Sequence, residues 1–166
     1  EYWRTVLAAV RAAYPGVCFI AEVYWGREWE LLQQGFDLCY DKQLYDRLVH
    51  ETAERVRSHL TSDPAYQDRL VRFLENHAEP RAAAVFPASR ALAVAIAAYT
   101  LPGAKMFHQG QFEGYATRVP AALSRRPNEP ADRALGAFYR RLALALQSRH
   151  WPSRSGVVCS ANDAAA

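Results

Sequence analysis

Four apolar runs in this chain each end in residues able to do chemistry. "VCFIAEVYW" carries Glu22, with Tyr24 and Trp25 behind it. "FDLCY" is flanked by Asp37 and Tyr40, "VRFLEN" leads into Asn76 and His77, and "AKMF" into His108, Gln109 and Gln111. On position alone, a carboxylate at the end of an apolar run is a candidate for function. Aromatics beside it offer flat faces for sugar rings. Asn76 and His77 are polar groups that could face a ligand. Each residue also has a plainer reading. Glu22 could pair with an Arg of the next unit, His77 could be a satisfied structural histidine, and Trp25 and Trp29 could be core or rim. The sequence carries no phosphate loop, GxGxxG, zinc spacing or nucleophile elbow.

The elements that must hold these residues alternate. Trp3, Val6, Leu7 and Val10 recur at helical spacing over 1–14 and define an inward face. Pro15-Gly16 ends that helix. Residues 17–25 read as a strand buried on both faces, because the run is apolar throughout. A short helix follows, ended by Gly35, and then a strand over 36–40. Residues 41–60 read as one helix with Leu44, Leu48 and Val49 inward. A new start at Pro64 precedes a third strand over 71–76. The segment from Pro87 reads as a helix packed on nearly every side. Pro102-Gly103 turns into a fourth strand, and 109–130 is irregular. The last helix opens near Asp132 and places basic residues in its final turns, as the helix dipole favours.

Strand–helix repetition without a long linker predicts a parallel α/β architecture, in which ligands bind at the carboxyl ends of the strands. A complete eight-fold βα barrel takes roughly 250 residues. A chain of 166 residues with about four βα units is therefore a small open sheet or about half of a barrel. The chain begins on Glu1 and enters directly on a helical pattern, which reads as a processed or partial chain.

Composition narrows the class. The chain is 51% hydrophobic and 22% charged, an ordinary globular balance. Its formal charge of +3 is small, and its Arg residues are interspersed with acids, which argues against nucleic acid. "ALAVAIAAYT" is too short and alanine-rich to cross a bilayer, and no signal peptide is visible, so no membrane partner and a cytoplasmic location are expected. The three Cys show no metal spacing. Cys18 and Cys39 read as small core residues, and Cys159 as exposed in a polar tail.

With the elements in place, "FIAEVYW", "GFDLCYDKQLYDRL", "FLENHAEPRAA" and "LPGAKMFHQGQFEG" resemble, in order and spacing, the second half of the catalytic barrel of the α-amylase family, glycoside hydrolase family thirteen. "YDK-LYD" and "NH-EPR" are similar to bacterial members. The resemblance implies a partial TIM (β/α)8 barrel over 1–150, from the fifth strand to the eighth, followed by a tail over 151–166 that reads as irregular. It implies a retaining mechanism on α-glucosidic bonds, with one carboxylate attacking and another protonating the leaving oxygen. Glu22 matches the acid/base position, and the apolar "FIA" before it and the aromatics after it would help keep its proton near neutral pH. His77 matches a sugar-binding His, with Asn76, Tyr24 and Trp25 as further substrate contacts. The implied substrate is an α-glucan or maltooligosaccharide, and the implied partner is the N-terminal half of the barrel.

Two departures bear on activity. The family carries an Asp directly after Asn-His, and here that position holds Ala78. Glu79 lies one residue along and is no substitute, because "EPR" matches without a shift. The strand that bears the nucleophile, with Arg two residues before its Asp, has no counterpart in 1–166. An inactive chain is expected, with a degenerate half-barrel that keeps sugar binding or a scaffold role as the alternative. A plain α/β domain with structural strand-end polars is a third reading. No cofactor is expected. Calcium is common among relatives, but no oxygen cluster here builds a site for it.

Overall fold

The structure is a computed structural model that describes residues 1–120 and 125–147, together with the backbone of 158–160. Four strands, β1 (Ile20–Ala21), β2 (Leu38–Tyr40), β3 (Leu70–Arg72) and β4 (Ala104–Phe107), follow in chain order in one parallel sheet with helices between them. This is the expected partial α/β barrel architecture. The chain divides into two compact units, Glu1–Arg72 with Pro102–Ala104, and Phe73–Leu101 with Lys105–Ala166.

In the first unit, α1 (Tyr2–Ala13) buries Leu7 fully, but Trp3 stays 40% exposed, edge-on to Phe36. The expected inward face is thus narrower than its spacing suggested. Arg11, in the last turn, donates to the Gly35 carbonyl and to the Asp37 carboxylate, both at 2.7 Å. Asp37 also accepts from the Phe19 amide at 2.8 Å, so it is a structural tie rather than a ligand group.

The run 17–25 is not buried on both faces. Cys18, Ile20 and Glu22 are exposed, whereas Ala21 and Val23 are buried. Successive strand side chains point to opposite faces, and only one face is covered here. Uniformly apolar composition hid that alternation. Leu7, Ala21, Val23, Leu32, Phe36, Cys39 and Leu70 form the core of this unit.

After α2 (Glu28–Gln33) and β2, the expected single helix over 41–60 is two, α3 (Lys42–His50) and α4 (Ala53–His59). The break lies at Thr52, whose hydroxyl accepts from the Arg55 amide and starts a new helix. Asp41 caps α3 through the Leu44 amide at 3.1 Å. Leu44, Tyr45 and Leu48 are buried, and Val49 only partly so. Asp63 and Pro64 open α5 (Pro64–Gln67). Gly103, at φ +95°, lies so close to β3 that a Cβ would stand 2.2 Å from the Leu70 carbonyl oxygen. Only glycine fits there.

In the second unit a helical turn missing from the sequence reading, α6 (Ala82–Val85), starts where the Glu75 carboxylate accepts from the Ala82 amide at 2.7 Å. Helix α7 (Ala88–Tyr99) is covered on one side only: Val94, Ala95, Ala98 and Tyr99 are buried, while Leu92 and Ile96 are exposed. Asp132 caps α8 (Arg133–Gln147) by accepting from the amides of Ala134 and Leu135. Arg140 and Arg141 lie mid-helix, not in the final turns. Tyr139 stacks on Phe112 at 5.2 Å. A short strand, β5 (Val158–Ser160), pairs in parallel with β4. The rest of the tail, and the side chain of Cys159, lie outside the described residues.

Candidate functional site

Glu22 follows β1 directly and is exposed. The apolar shell expected around it is not there, because its strand face is the open one. The Tyr24 hydroxyl donates to its carboxylate. Trp25 is 90% exposed and has φ +63°, followed by Gly26 at φ +72°. A left-handed backbone at a bulky residue is uncommon and costs of order 1–3 kcal/mol. The turn thus holds an indole out into solvent beside the carboxylate. Trp3, Glu22, Tyr24, Trp25 and Leu31 line a cleft of about 380 Å³. Trp29 is 56% exposed and meets Tyr66 edge-on, so both tryptophans are rim rather than core.

The second unit gathers Asn76, His77, His108 and Gln109 around one pocket of about 270 Å³. Asn76 is 2% exposed, and its carbonyl oxygen accepts from the amides of Ala78 and Glu79 at 2.9 and 2.8 Å. Those bonds fold the loop and leave the side-chain amide nitrogen, Nδ2, buried without a hydrogen-bond acceptor among the described residues. His77 is exposed and Ala78 half-buried. Gln111 is not a ligand group. It is 2% exposed, donates to the hydroxyls of Tyr99 and Tyr139, and accepts from the His108 amide.

Beneath this pocket lies a cluster that the sequence reading missed. Glu75, 1% exposed, pairs with Arg81 at 2.9 Å. Arg81 also donates to the Gln109 carbonyl at 2.9 Å, to the Tyr115 carbonyl at 3.2 Å and to His108 Nδ1 at 2.6 Å. A guanidinium only donates, so His108 Nδ1 accepts and the ring proton sits on Nε2. Arg118 and Arg126 also line the pocket, the latter 4.3 Å above the Tyr115 ring. Their signal in the sequence was weak, since charges in an aperiodic loop look like ordinary solvated groups. Glu129 accepts from the amides of Ala116 and Thr117, both at 2.9 Å, and a side-chain hydrogen bond from Thr117 holds its carboxyl below the usual range.

The first unit has a second buried cluster outside the expected candidates. Asp41 accepts from His59 Nε2 at 3.0 Å and from the fully buried Arg72. Burial opposes the Asp41 charge, but the His59 hydrogen bond and the Arg72 charge outweigh it and lower the pKa. Glu28, also buried, is raised, chiefly by burial. Burial and the Glu28 charge push the Cys39 thiol up to about 12, which makes it inert. Cys18, expected in the core, is exposed. No group of three metal-binding residues occurs among the described residues, and no helix there is long and apolar enough to cross a membrane.

No family model and no curated protein matches the sequence. Solved structures do. A noncanonic maltogenic α-amylase from Thermotoga neapolitana superposes with a TM-score of 0.64 at 20% identity, covering 87% of this chain and 35% of that one. The fold is that of part of an α-amylase barrel. An α-amylase from Lactobacillus plantarum agrees, with a TM-score of 0.54 and 24% identity over 70% of this chain and 33% of its own. The chain therefore spans about a third of the length of each of these amylases.

Proposed function

We propose that residues 1–166 are a segment of an α-amylase-type retaining glycosidase or transglycosylase acting on α-glucosidic bonds. The observation that carries this reading is the amylase-barrel fold combined with the four motifs in family order. Glu22 is the general acid/base, protonating the leaving glycosidic oxygen. Trp25 and Tyr24 stack on the sugar, and Asn76 and His77 hydrogen-bond its hydroxyls. Ala78 stands where the transition-state Asp belongs, and the nucleophile strand has no counterpart in this chain. Loss of carboxylates that act in the transition state costs several powers of ten in rate, so the chain alone is inactive. The missing barrel half is its structural partner, and an α-glucan is the substrate of the whole.

Purified chain should leave maltotriose intact while giving binding heat with it, and Trp25→Ala should reduce that heat. Hydrolysis abolished by Glu22→Gln would overturn the inactivity, and absence of heat would overturn the sugar contacts. Ala78 itself favours a second reading, a degenerate half-barrel that keeps sugar contacts without chemistry. It predicts that Ala78→Asp, made in a chain that also carries an Arg-x-Asp strand, restores no turnover, whereas the first reading predicts that it does.

A further inference from the structure

The pocket of the second unit has a chemical bias that sugar hydroxyls do not explain. Its cations are Arg81, Arg118 and Arg126, with His77 and His108 beside them, and no Asp or Glu lines it among the described residues. Arg81 is neutralised by Glu75 and spent on carbonyls and His108. Arg118 and Arg126 have no carboxylate partner among the described residues. Stacking of Arg126 over Tyr115 fixes its plane and leaves its N–H edge available. Glu129, whose charge reaches Arg81, accepts from the amides of Ala116 and Thr117 and from the Thr117 side chain, and it is not part of the lining.

The charged groups of the lining are all cations, and the groups that can accept there are neutral, the Gln109 amide and the Tyr115 and Thr117 hydroxyls. The Asn76 amide nitrogen is buried and lacks an acceptor, although buried polar groups normally have one. His108 carries its proton on Nε2. Two guanidiniums complete the set. A buried donor without an acceptor, among cations with no lining carboxylate, suits a tetrahedral oxyanion better than a neutral hydroxyl.

We infer that this pocket binds a phosphoryl group, either free phosphate or one carried on a sugar. The inference goes beyond the glucan reading and does not depend on it. Asn76 and His108 supply directional hydrogen bonds, and Arg118 and Arg126 supply the balancing charge. The pocket's volume leaves room for more than the phosphoryl group.

Calorimetry on the chain 1–166 at constant ionic strength tests this with inorganic phosphate, glucose 1-phosphate and maltose. Both phosphate probes should bind. Tighter binding of glucose 1-phosphate would identify a sugar-borne group, and equal binding free phosphate. Arg118→Gln and Arg126→Gln are at exposed positions, and each should weaken binding about tenfold, the scale of a lost charge-assisted hydrogen bond. No heat with either phosphate probe would overturn the inference, as would unchanged binding by the doubly substituted chain with its circular dichroism intact. Maltose heat without phosphate heat would sink this inference and leave the glucan reading standing. The reverse result would do the opposite.

Discussion

Each unit brings a buried carboxylate and a buried arginine into contact with a histidine, and the two trios behave differently. In the first, Asp41 meets Arg72 and His59, and nothing is left over. Arg72 is 0% exposed and donates to Asp41, the Pro102 carbonyl and Gln67, while His59 is 4% exposed. In the second, Glu75 meets Arg81 and His108, but His108 is 33% exposed and faces a pocket with two further arginines. The same residue types thus make a sealed brace in one unit and the floor of a pocket in the other. What separates them is whether every donor has been given an acceptor.

The largest effect should come from opening the sealed trio. Asp41→Ala removes the carboxylate that pairs with Arg72 and the acceptor of His59, and it uncaps α3. An unpaired charge in such a place costs about 3–5 kcal/mol. The urea midpoint should fall accordingly, and Asp41→Asn, which keeps the shape and part of the hydrogen bonding, should lose less. Equal stability of Asp41→Ala and the parent would break the comparison.

Acidity should sharpen it, because the two buried carboxyls beside β2 shift in opposite directions. The Asp41 pKa is lowered on folding, so its stabilisation is present above the unfolded value of about 3.9 and is lost as pH falls through the folded one. The Glu28 pKa is raised, so its contribution is full below about 4.3 and is lost as pH rises through the folded value. Urea midpoints measured across pH should thus fall on the acid side because of Asp41, and Glu28→Gln should flatten the loss above pH 4.3. An unchanged slope in Glu28→Gln would show that Glu28 titrates alike folded and unfolded.

A smaller effect is expected where backbone shapes the pocket floor. Gly110 has φ +85°, and a Cβ there would lie 2.7 Å from the Arg81 guanidinium and 2.5 Å from the Tyr115 ring. Gly110→Ala costs about 1–2 kcal/mol from backbone conformation and displaces Arg81 from His108. A lowered melting temperature together with a shifted His108 imidazole resonance would show both effects. A normal His108 resonance would show that the pocket floor does not depend on this glycine.

How much of this was legible in the sequence depended on the kind of signal. Strand and helix order followed from apolar runs and from Pro and Gly punctuation, which are local. Glu22, Asn76 and His77 were legible as chemistry because they end those runs, and they line clefts in their own units. What was hidden depends on contacts distant in sequence. A run as apolar as 17–25 gives no sign of which face is covered. Arg72 within "LVRFL" joins Asp41 across 31 positions, and Arg81 joins His108 across 27. Nor did the break at Thr52 stand out, since its capping hydroxyl sits inside an otherwise helical pattern.

The smallest expected change in stability tests the open trio most directly. Arg118 and Arg126 are exposed and brace nothing buried, so Arg118→Gln with Arg126→Gln should leave the urea midpoint where it was, in contrast to Asp41→Ala. The same double substitution should remove the phosphate heat, and raising the salt should weaken what remains in each single variant, because exposed charges are screened. A fall in stability comparable to that of Asp41→Ala would mean that these arginines brace the second unit as Arg72 braces the first. The two trios would then differ only in exposure, not in what they do.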